Sequence, residues 1–454
     1  MIPVIIAGLE NDHENFEYKM DELSSLAYAN NMEVIVSVKQ KLEHPIAATY
    51  FGKGKAEEIR HVGEINDIGT LIVNAELTPT QLRNLEDITG LQVIDRTALI
   101  LEIFASRAQT KEAKLQVQIA KLQYQLPRLR TSSINRMDQQ TAGNTGGGYT
   151  NRGSGETKLE LNKRVIEKRI SNLSKELKEI ESVHENQRRA RERSSIKTVA
   201  LVGYTNAGKS TTMNGLLKLL EQPTNKEVFE KDMLFATLDT SIRKIKLPDN
   251  KEFFLSDTVG FVSDLPHQLV KAFRTTLSEA NQADLLIQVI DGSDEHAKDM
   301  IETTKQTLDE IGVKDIPMIY AYNKSDLTST PYPSSVGNQF YYSAKDKKSI
   351  EMLINLIKEN LFQDYVTHTY LIPFSEGRYL EIINKQANIL KTDYLAEGTK
   401  ITAESTPIMA QQLKQFHYRL KRSWKKQHFK LNYRNYQQQK RQKSSFHNVI
   451  SDVF

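Results

Sequence analysis

The sequence predicts an α/β fold in which a phosphate-binding domain with a doubly wound sheet lies between smaller domains. Three observations indicate this fold. Strand-like runs alternate with helical patterns in two separate stretches, a heptad-spaced segment divides the stretches, and a glycine-rich loop joins a strand to a helix in the second. A chain of 454 residues has room for about three domains with their own cores. We predict a small α/β domain over 1–102, a helical hairpin over 103–195, the phosphate-binding domain over 196–363, a small α+β domain over 364–420 and a basic tail over 421–454.

The composition excludes several kinds of chemistry. The chain has no cysteine, which rules out disulfides, thiolate nucleophiles and Cys-ligated zinc. Its first residues, MIPVIIAGLE, lack the basic leader and cleavage site of a signal peptide, and no apolar run reaches the ~18 residues of a membrane span. We therefore expect a cytoplasmic protein, and nothing in the sequence indicates membrane association.

The first domain, 1–102, is predicted from four β-rich runs, IPVIIAGL, MEVIVSV, GTLIVN and LQVID, which are separated by helical patterns. This alternation is typical of βαβ units in a mainly parallel sheet. Within it, YFGKGKAEEI has a glycine–lysine turn before a helix, where a phosphate could bind. Because the full P-loop spacing is absent, a plain strand-to-helix turn with exposed lysines is favoured, and a second nucleotide site stays an open alternative.

The second region, 103–195, has the hydrophobic period of a coiled coil. Apolar residues three and four apart mark two long helices: Leu115, Ile119, Leu122, Leu126 and Leu129 in the first, and Ile166, Ile170, Leu173, Leu177 and Ile180 in the second. Six glycines between Gly143 and Gly155 disfavour a helix there, so we predict a hairpin with a mobile, non-helical tip. The tip is flanked by Arg128, Arg130, Arg136 and Arg152. Glycines beside arginines suit close approach to a phosphate backbone, and a surface loop without function is the alternative.

The chemistry is concentrated in the third domain, 196–363. A β-branched strand, KTVALV, leads into a loop with the spacing GxxxxGK[ST] and then into an amphipathic helix. The loop consists of Gly203, Tyr204, Thr205, Asn206, Ala207, Gly208, Lys209 and Ser210. In such a P-loop, backbone N–H groups cradle phosphates, the lysine contacts the β- and γ-oxygens and the hydroxyl binds Mg²⁺. We therefore assign Lys209 to catalysis and Ser210 to the metal.

Two later segments predict that the bound base is guanine. The first comprises Asn323, Lys324, Ser325 and Asp326, directly after an apolar strand. A carboxylate at Asp326 can accept from both guanine N1–H and the exocyclic amine, whereas adenine would leave it unpaired. The second comprises Ser343, Ala344 and Lys345, where a backbone amide can meet guanine O6. The predicted substrate is GTP.

Two further loops complete the predicted site. The first contributes Phe235, Ala236, Thr237, Leu238 and Asp239. Its Thr237 is expected to bind Mg²⁺ once the γ-phosphate is present. The second, SDTVGF, contributes Asp257, Thr258, Val259 and Gly260. We expect Asp257 to hold Mg²⁺ through water and the Gly260 N–H to contact the γ-phosphate, so Lys209, Thr237 and Gly260 are the predicted catalytic residues. Phe261 stands where a self-sufficient GTPase has a water-orienting glutamine, which predicts slow unaided hydrolysis.

The chain resembles the HflX family, ribosome-associated P-loop GTPases of the translation-factor-related class. The resemblance is carried by GYTNAGKST, LFATLDTSIR, DTVGFVSDLPHQLVKAF, GGGYTNRGSGETKLE and DRTALILEIFASRAQTKEAKLQVQIAKLQYQLPRL. It implies GTP contacts over 203–210, 235–239, 257–260, 323–326 and 343–345, with Ser210 and Thr237 on magnesium. It also implies docking on the large (50S) ribosomal subunit and its rRNA, with the hairpin loop reaching toward the peptidyl-transferase region. The associated role is splitting or rescue of stalled ribosomes, or ribosome biogenesis.

The sequence departs from the family pattern at two loop positions. Thr240 and Ser154 replace prolines, which frees a backbone φ angle at each without touching an assigned group. Phe261 is not a departure, since the resemblance implies an apolar residue at this position.

The C-terminal part departs further. Strands near YLIPF, ANILKTDYL and GTKITAE around a helix at 376–385 predict the small α+β domain. From Ser405 to Ser451 there is no acidic residue. Basic residues there are interleaved with aromatic ones: Lys414, Arg419, Lys421, Arg422, Lys425, Lys426, Lys430, Arg434, Lys440, Arg441 and Lys443 with Phe416, Tyr418, Trp424, Phe429, Tyr433 and Tyr436. This pattern favours RNA binding, and a solvated tail or an acidic-lipid contact are the alternatives.

Two function classes follow from these observations. The favoured one is a monomeric, Mg²⁺-dependent GTP hydrolase that works on the large ribosomal subunit and is stimulated there. The alternative is a GTP-dependent binding switch on other structured RNA or a membrane-associated partner. The long hairpin suits a deep RNA cavity better than a flat surface, which favours the first.

Overall fold

The structure, a computed structural model, describes residues 1–11, 15–129, 151–193, 196–220, 235, 241–258, 260–263 and 280–418. The chain divides into two compact units. The first combines Met1–Leu247 with Glu252–Gln363, and the second combines Pro248–Lys251 with Asp364–Phe454. The predicted α/β class is confirmed, with the P-loop domain preceded by a smaller α/β domain. The predicted basic tail, 421–454, lies outside the described residues.

The N-terminal part of the first unit alternates strands and helices. Its elements are β1 (Ile2–Glu10), α1 (Phe16–Ala29), β2 (Met32–Lys41), α2 (Lys53–Asn66), β3 (Thr70–Val73), α3 (Pro79–Thr89) and β4 (Gln92–Asp95). The strands are parallel, in the order β2-β1-β3-β4. Alternate β1 side chains enter two cores: Val4 and Ile6 pack with α1, whereas Ile5 and Ala7 pack with α2 and α3. Helices therefore cover both faces, as a parallel sheet requires.

The glycine–lysine turn before α2 has the favoured plain form. Gly52 is the N-cap of the helix, and its N–H donates to Gln40 Oε1 at 2.9 Å. Phe51 is buried and Lys53 is exposed. The Gly52 N–H, one of the donors a phosphate would need, is thus already used within the domain.

Three helices follow the N-terminal sheet: α4 (Arg96–Arg107), α5 (Lys111–Gln125) and α6 (Asn151–Arg193). Thr110 caps α5 by accepting from the Ala113 N–H at 3.1 Å. The first predicted long helix, with its seam from Leu115 to Leu129, ends as an α-helix at Gln125 and continues as a 3₁₀ turn over Leu126–Arg128. Helix α5 packs along α6, and Lys111 forms an ion pair with Glu176 at 2.6 Å. The buried positions of α5 include the predicted seam residues Leu115, Ile119 and Leu122.

The prediction of a non-helical tip over Gly143–Gly155 is wrong at its C-terminal end. Helix α6 begins at Asn151, so Gly153 and Gly155 lie within its first turns. Each glycine costs about 1 kcal/mol in a helix interior. Propagation of a 43-residue helix outweighs that cost. Residues 143–150 lie outside the described part of the chain.

Arg128, predicted to flank the tip and contact RNA, has partners within the protein. Its guanidinium donates to Asp95 Oδ2 at 3.1 Å and to Leu77 O at 2.7 Å. It also lies over the Tyr124 ring, 3.4 Å from the centroid. Arg128 therefore anchors the end of α5 to the N-terminal sheet. Arg130, Arg136 and the Arg152 side chain are not among the described groups.

The second sheet of the first unit belongs to the P-loop domain. Its elements are β5 (Lys197–Val202), α7 (Lys209–Leu219), β6 (Ser241–Lys246), β7 (Glu252–Asp257), β8 (Leu285–Asp291), α8 (Ala297–Glu310), β9 (Met318–Asn323), β10 (Ser334–Val336), β11 (Gln339–Tyr341) and α9 (Lys347–Leu361). The order is β10-β11-β9-β8-β5-β7-β6, with antiparallel pairing only at the two edges. The parallel strands β5, β7, β8 and β9 therefore bring their carboxyl ends, and the predicted motifs that follow them, to one side.

The second unit has the small α+β arrangement that the sequence predicts. Its elements are β12 (Val366–Ile372), α10 (Gly377–Gln386), β13 (Asn388–Leu395), β14 (Gly398–Ser405) and α11 (Pro407–Gln412). The antiparallel sheet has the order β12-β14-β13, and its core includes Tyr370, Ile383 and Ile401. Over the described ranges of both units, no helix combines the length and apolar character needed to cross a bilayer.

Candidate nucleotide site

The P-loop lies between β5 and α7, and its glycines are required by close contacts. Gly203 has φ 139° and Gly208 has φ 95°, both in the region that favours glycine. A Cβ on Gly203 would lie 2.2 Å from Val289 O, and one on Gly208 would lie 2.1 Å from Asn323 Nδ2. Only glycine lets the loop pass this close to β8 and β9, so the backbone N–H groups of the turn are held in a fixed position.

Lys209 is the first residue of α7 and is buried beneath the loop. Its Nζ donates to Gly203 O at 3.0 Å and to Tyr204 O at 2.7 Å. Burial lowers the pKa of Lys209 to about 8, and the nearby Asp257 carboxylate opposes that shift. A phosphate oxygen would supply the negative charge that favours the protonated amine.

Asp257, at the carboxyl end of β7, lies beside Ser210. The Ser210 hydroxyl donates to Asp257 Oδ2 at 2.7 Å, while Asp257 Oδ1 is buried and lacks a hydrogen-bond partner among the described residues. Burial raises the pKa of the Asp257 carboxyl, and Lys209, Ser210 and the Thr258 N–H oppose that rise. A hydroxyl and a buried carboxylate oxygen are hard oxygen donors, so the groups present fit Mg²⁺. Thr237, the other predicted ligand, lies outside the described residues.

The loop after β7 is paired directly with the P-loop. The Phe261 N–H donates to Gly203 O at 3.1 Å, and the Thr205 N–H donates to Phe261 O at 2.8 Å. The Phe261 side chain is only 2% exposed and belongs to the hydrophobic core. Gly260 faces the P-loop, because a Cβ on it would lie 3.1 Å from Lys209 Nζ. The structure thus places Gly260 beside Lys209 and turns Phe261 away into apolar surroundings.

The predicted guanine motif joins three loops. Asn323 Nδ2 donates to Ala207 O at 2.9 Å, and Asn323 Oδ1 accepts from the Ala344 N–H at 2.9 Å. Lys324, in the left-handed region at φ 61°, pairs with Asp291 Oδ2 at 2.6 Å. The buried Asn323 therefore ties the P-loop to the segment 343–345, while the Asp326 side chain remains exposed.

The remaining predicted residues lie in different surroundings. The Thr258 hydroxyl is buried and donates to Leu201 O at 2.8 Å. The Phe235 ring packs edge-on against Phe104 of α4, with centroids 4.6 Å apart. Ser325 and Ser343 are buried and Lys345 is exposed. The predicted contacts that lie outside the described residues are Ala236, Thr237, Leu238, Asp239 and Val259.

Sequence reasoning missed two groups beside the site. Asp291 pairs with Lys324, and its position at the end of the apolar strand β8 was a usable signal, because that strand ends at the same side as β5. Glu22 of α1 accepts a hydrogen bond from the Tyr204 hydroxyl. No local pattern marks Glu22, since 182 residues separate the two.

Three family models match consecutive parts of the chain. Residues 17–105 match a model described as GTP-binding GTPase N-terminal, and 107–191 match GTP-binding GTPase Middle Region. Residues 198–324 match 50S ribosome-binding GTPase. Together the three models cover most of the described first unit.

Individual relatives extend over most of the chain. A GTPase HflX from Caldanaerobacter subterraneus subsp. tengcongensis is 40% identical over 402 residues, which cover 88% of this chain and 90% of that protein. The GTPase HflX of Escherichia coli (strain K12) is 37% identical over 365 residues, 79% of this chain and 83% of that protein. A solved structure of a GTP-binding protein from Sulfolobus solfataricus in complex with GDP is 26% identical, with a TM-score of 0.41, and covers 79% of this chain and 98% of that one.

Proposed function

This chain belongs to the HflX family of GTPases, and we propose that it binds and hydrolyses its GTP at the carboxyl edge of the P-loop domain's sheet. The proposed phosphate contacts are residues 203–210, with residues 235–239 and 257–260 closing over the γ-phosphate. The proposed base contacts are residues 323–326 and 343–345. The exposed carboxylate of Asp326 and the Asn323 bridge between P-loop and 343–345 support this assignment.

We propose Ser210 and Thr237 as Mg²⁺ ligands, with Asp257 beside them. When bound, Mg²⁺ neutralises charge that develops on the phosphate oxygens. The buried Asp257 Oδ1 and the adjoining Ser210 hydroxyl support this placement. Lys209 holds its proton at Nζ against the phosphate oxygens, and the Gly260 N–H orients the γ-phosphate.

We propose the large ribosomal subunit and its rRNA as the partner that stimulates hydrolysis, for a cytoplasmic monomer that splits or rescues ribosomes. The observation that carries this proposal is the burial of Phe261. In-line attack needs a positioned water. The position that holds this water in a self-sufficient GTPase is occupied here by Phe261, whose apolar ring packs into the core. A partner must therefore supply the missing order, and the match to a 50S ribosome-binding GTPase model favours the ribosome.

The proposed division of labour follows the domains 1–102, 103–195, 196–363 and 364–420, with the tail at 421–454. The hairpin of α5 and α6 would extend from the GTPase domain into an rRNA cavity. The tail, with no acidic residue up to Ser451, would contact rRNA phosphates.

Co-sedimentation with ribosomal subunits tests the proposal. The full chain is mixed with 50S subunits and either a non-hydrolysable GTP analogue or GDP, and separated on sucrose gradients. We expect co-migration with 50S in the presence of the analogue, reduced by Lys209→Ala. Adding subunits should raise GTP turnover at least about tenfold, since activators raise the turnover of P-loop GTPases by roughly 10³–10⁵-fold. Rapid hydrolysis by the protein alone, unchanged by subunits, would contradict it. Binding to free structured RNA or to vesicles without 50S binding would instead support the alternative switch.

A further inference from the structure

A buried polar cluster joins the N-terminal domain to the P-loop and the loop after β7. The cluster consists of Glu22 on α1, Arg96 at the start of α4, Tyr204 in the P-loop and Ser263. It lies at the carboxyl ends of β3 and β4, since Asn74 directly follows β3 and accepts from Arg96 Nη1 at 2.8 Å. Ligands of open α/β sheets bind at this kind of edge. Here the edge is occupied by the nucleotide-site loops themselves.

The hydrogen bonds within the cluster converge on the Glu22 carboxylate. It accepts from the Tyr204 hydroxyl, the Arg96 guanidinium and the Ser263 hydroxyl. The Ser263 N–H donates to the Tyr204 oxygen at 2.6 Å, and Arg96 Nη2 donates to Ser263 O at 3.0 Å. Each loop residue thus contacts both the other loop residue and the N-terminal domain.

Burial makes these contacts strong. Glu22 is 6% exposed, Arg96 is 3% exposed and Tyr204 is 4% exposed. Burial and the Glu22 charge both raise the pKa of Tyr204, so its hydroxyl keeps its proton and acts as a donor. Removing one partner of a buried ion pair costs much stability, because the other charge is left buried without a partner or solvent. The arrangement therefore holds its geometry firmly.

Two anchors hold the loop directly after Gly260. Phe261 is paired by two backbone hydrogen bonds with Gly203 and Thr205. Ser263 is held by Glu22 and Arg96 of the cluster. Gly260 lies between β7 and this double anchor, next to Lys209. In the proposed site its N–H contacts the γ-phosphate, which GDP lacks.

We propose that Glu22 is a positioning residue that presents the Gly260 N–H to the γ-phosphate, and so makes the N-terminal domain sensitive to GTP as opposed to GDP. The proposal rests on the proposed place of Gly260 at the γ-phosphate. Binding of the α- and β-phosphates uses P-loop N–H groups and Lys209, which are common to both nucleotides. Loss of the Glu22 charge therefore weakens GTP binding selectively.

The test compares the affinities of a non-hydrolysable GTP analogue and GDP in the full chain. Glu22→Gln keeps the shape and removes the charge. Its matched control is Glu17→Gln on the same helix, an exposed carboxylate that pairs with Lys39 at 3.0 Å. We expect Glu22→Gln to lower the affinity for the analogue about tenfold relative to the affinity for GDP, which is the scale of one charge-assisted hydrogen bond. Glu17→Gln should leave the ratio unchanged.

An equal loss of both nucleotides, or no loss, would overturn the proposal, since a merely structural role would not change the ratio. If Glu22→Gln unfolds the chain, Tyr204→Phe and Ser263→Ala decide instead, because each removes a hydroxyl and retains the ion pair. Both should shift the ratio in the same direction, and an unchanged ratio in both refutes the role of Glu22. Gly260→Ala distinguishes a failure of the Glu22 role from a failure of the Gly260 assignment. If Gly260→Ala also leaves the ratio unchanged, the Gly260 assignment has failed as well.

Discussion

Gly260→Ala is the sharpest perturbation of the nucleotide site. A Cβ at this position would lie 2.7 Å from Thr205 Cγ2, 2.8 Å from Thr205 Cα and 3.1 Å from Lys209 Nζ. Carbon atoms pack best at about 3.5 Å or more, so the loop must move by roughly 0.7 Å. Thr205 Cα cannot yield alone, because the Thr205 N–H is bonded to Phe261 O at 2.8 Å. The strain therefore displaces Gly260 from Lys209.

This displacement should appear in catalysis far more than in GDP binding. A misplacement of about 1 Å at a reacting centre costs about 10²-fold in rate. We therefore expect ribosome-stimulated single-turnover GTP hydrolysis to fall about 100-fold, with the affinity for GDP within about threefold of the parent. Phosphate release from labelled GTP measures the first quantity, and fluorescent GDP titration measures the second.

The matched control for this change is Gly54→Ala. Nothing lies within 4 Å of a Cβ at Gly54, in the first turn of α2. Alanine is favoured over glycine in a helix by about 0.5–1 kcal/mol, so this variant should retain full activity and unfold at a slightly higher temperature. Stimulated hydrolysis within twofold of the parent in Gly260→Ala would refute the placement of Gly260 against the P-loop.

Three further predictions concern the base, the lysine and the tail. Asp326→Asn should weaken GTP binding by about 2–3 kcal/mol and allow xanthosine nucleotides to bind, because it places a hydrogen-bond donor against the donors of guanine. Equal GTP affinity of the variant and the parent in a competition titration would exclude the NKSD assignment. In the folded chain, burial lowers the pKa of Lys209 to about 8, from an unfolded value near 10.5. The nucleotide-free protein should therefore gain stability as pH rises from 8 toward 10.5 and lose that gain as pH falls back through 8. Lys209→Met should remove that part of the pH dependence of urea unfolding, and identical profiles would contradict the burial. Deletion after Leu420 should flatten the salt dependence of 50S binding by about 0.7–0.9 per lost phosphate contact, whereas an unchanged slope would show that the tail makes none.

The sequence alone predicts the chemistry of the site, because that chemistry depends on short segments with strict backbone needs. Gly203 and Gly208 can be predicted from their spacing, and the structure shows that a side chain at either position would collide with Val289 O or Asn323 Nδ2. Asn323 and Asp326 follow from their place after an apolar strand. The parallel order of strands then brings these segments to one edge, so their proximity was also predictable.

Helix ends were only partly predictable. The start of α5 has a local signal in Thr110, whose side chain caps the helix, whereas the heptad spacing predicted a helix as far as Leu129 and the α-helix ends at Gln125. The start of α6 at Asn151 has no such local signal. The two glycines in its first turns disfavour a helix, but the length of α6 stabilises it. Local propensity was outweighed by cooperativity along the helix.

Only the tertiary structure revealed how the N-terminal domain contacts the nucleotide site. Glu22 and Ser263 are 241 residues apart, and no local motif marks Glu22. A glutamate on an amphipathic helix ordinarily faces solvent, and only the packing of α1 against the P-loop domain buries it beside Arg96. Such a contact depends on the relative placement of two sheets, which periodicity within either sheet does not encode. The predicted site residues are thus specified by local sequence, and their contacts with the N-terminal domain by the three-dimensional packing.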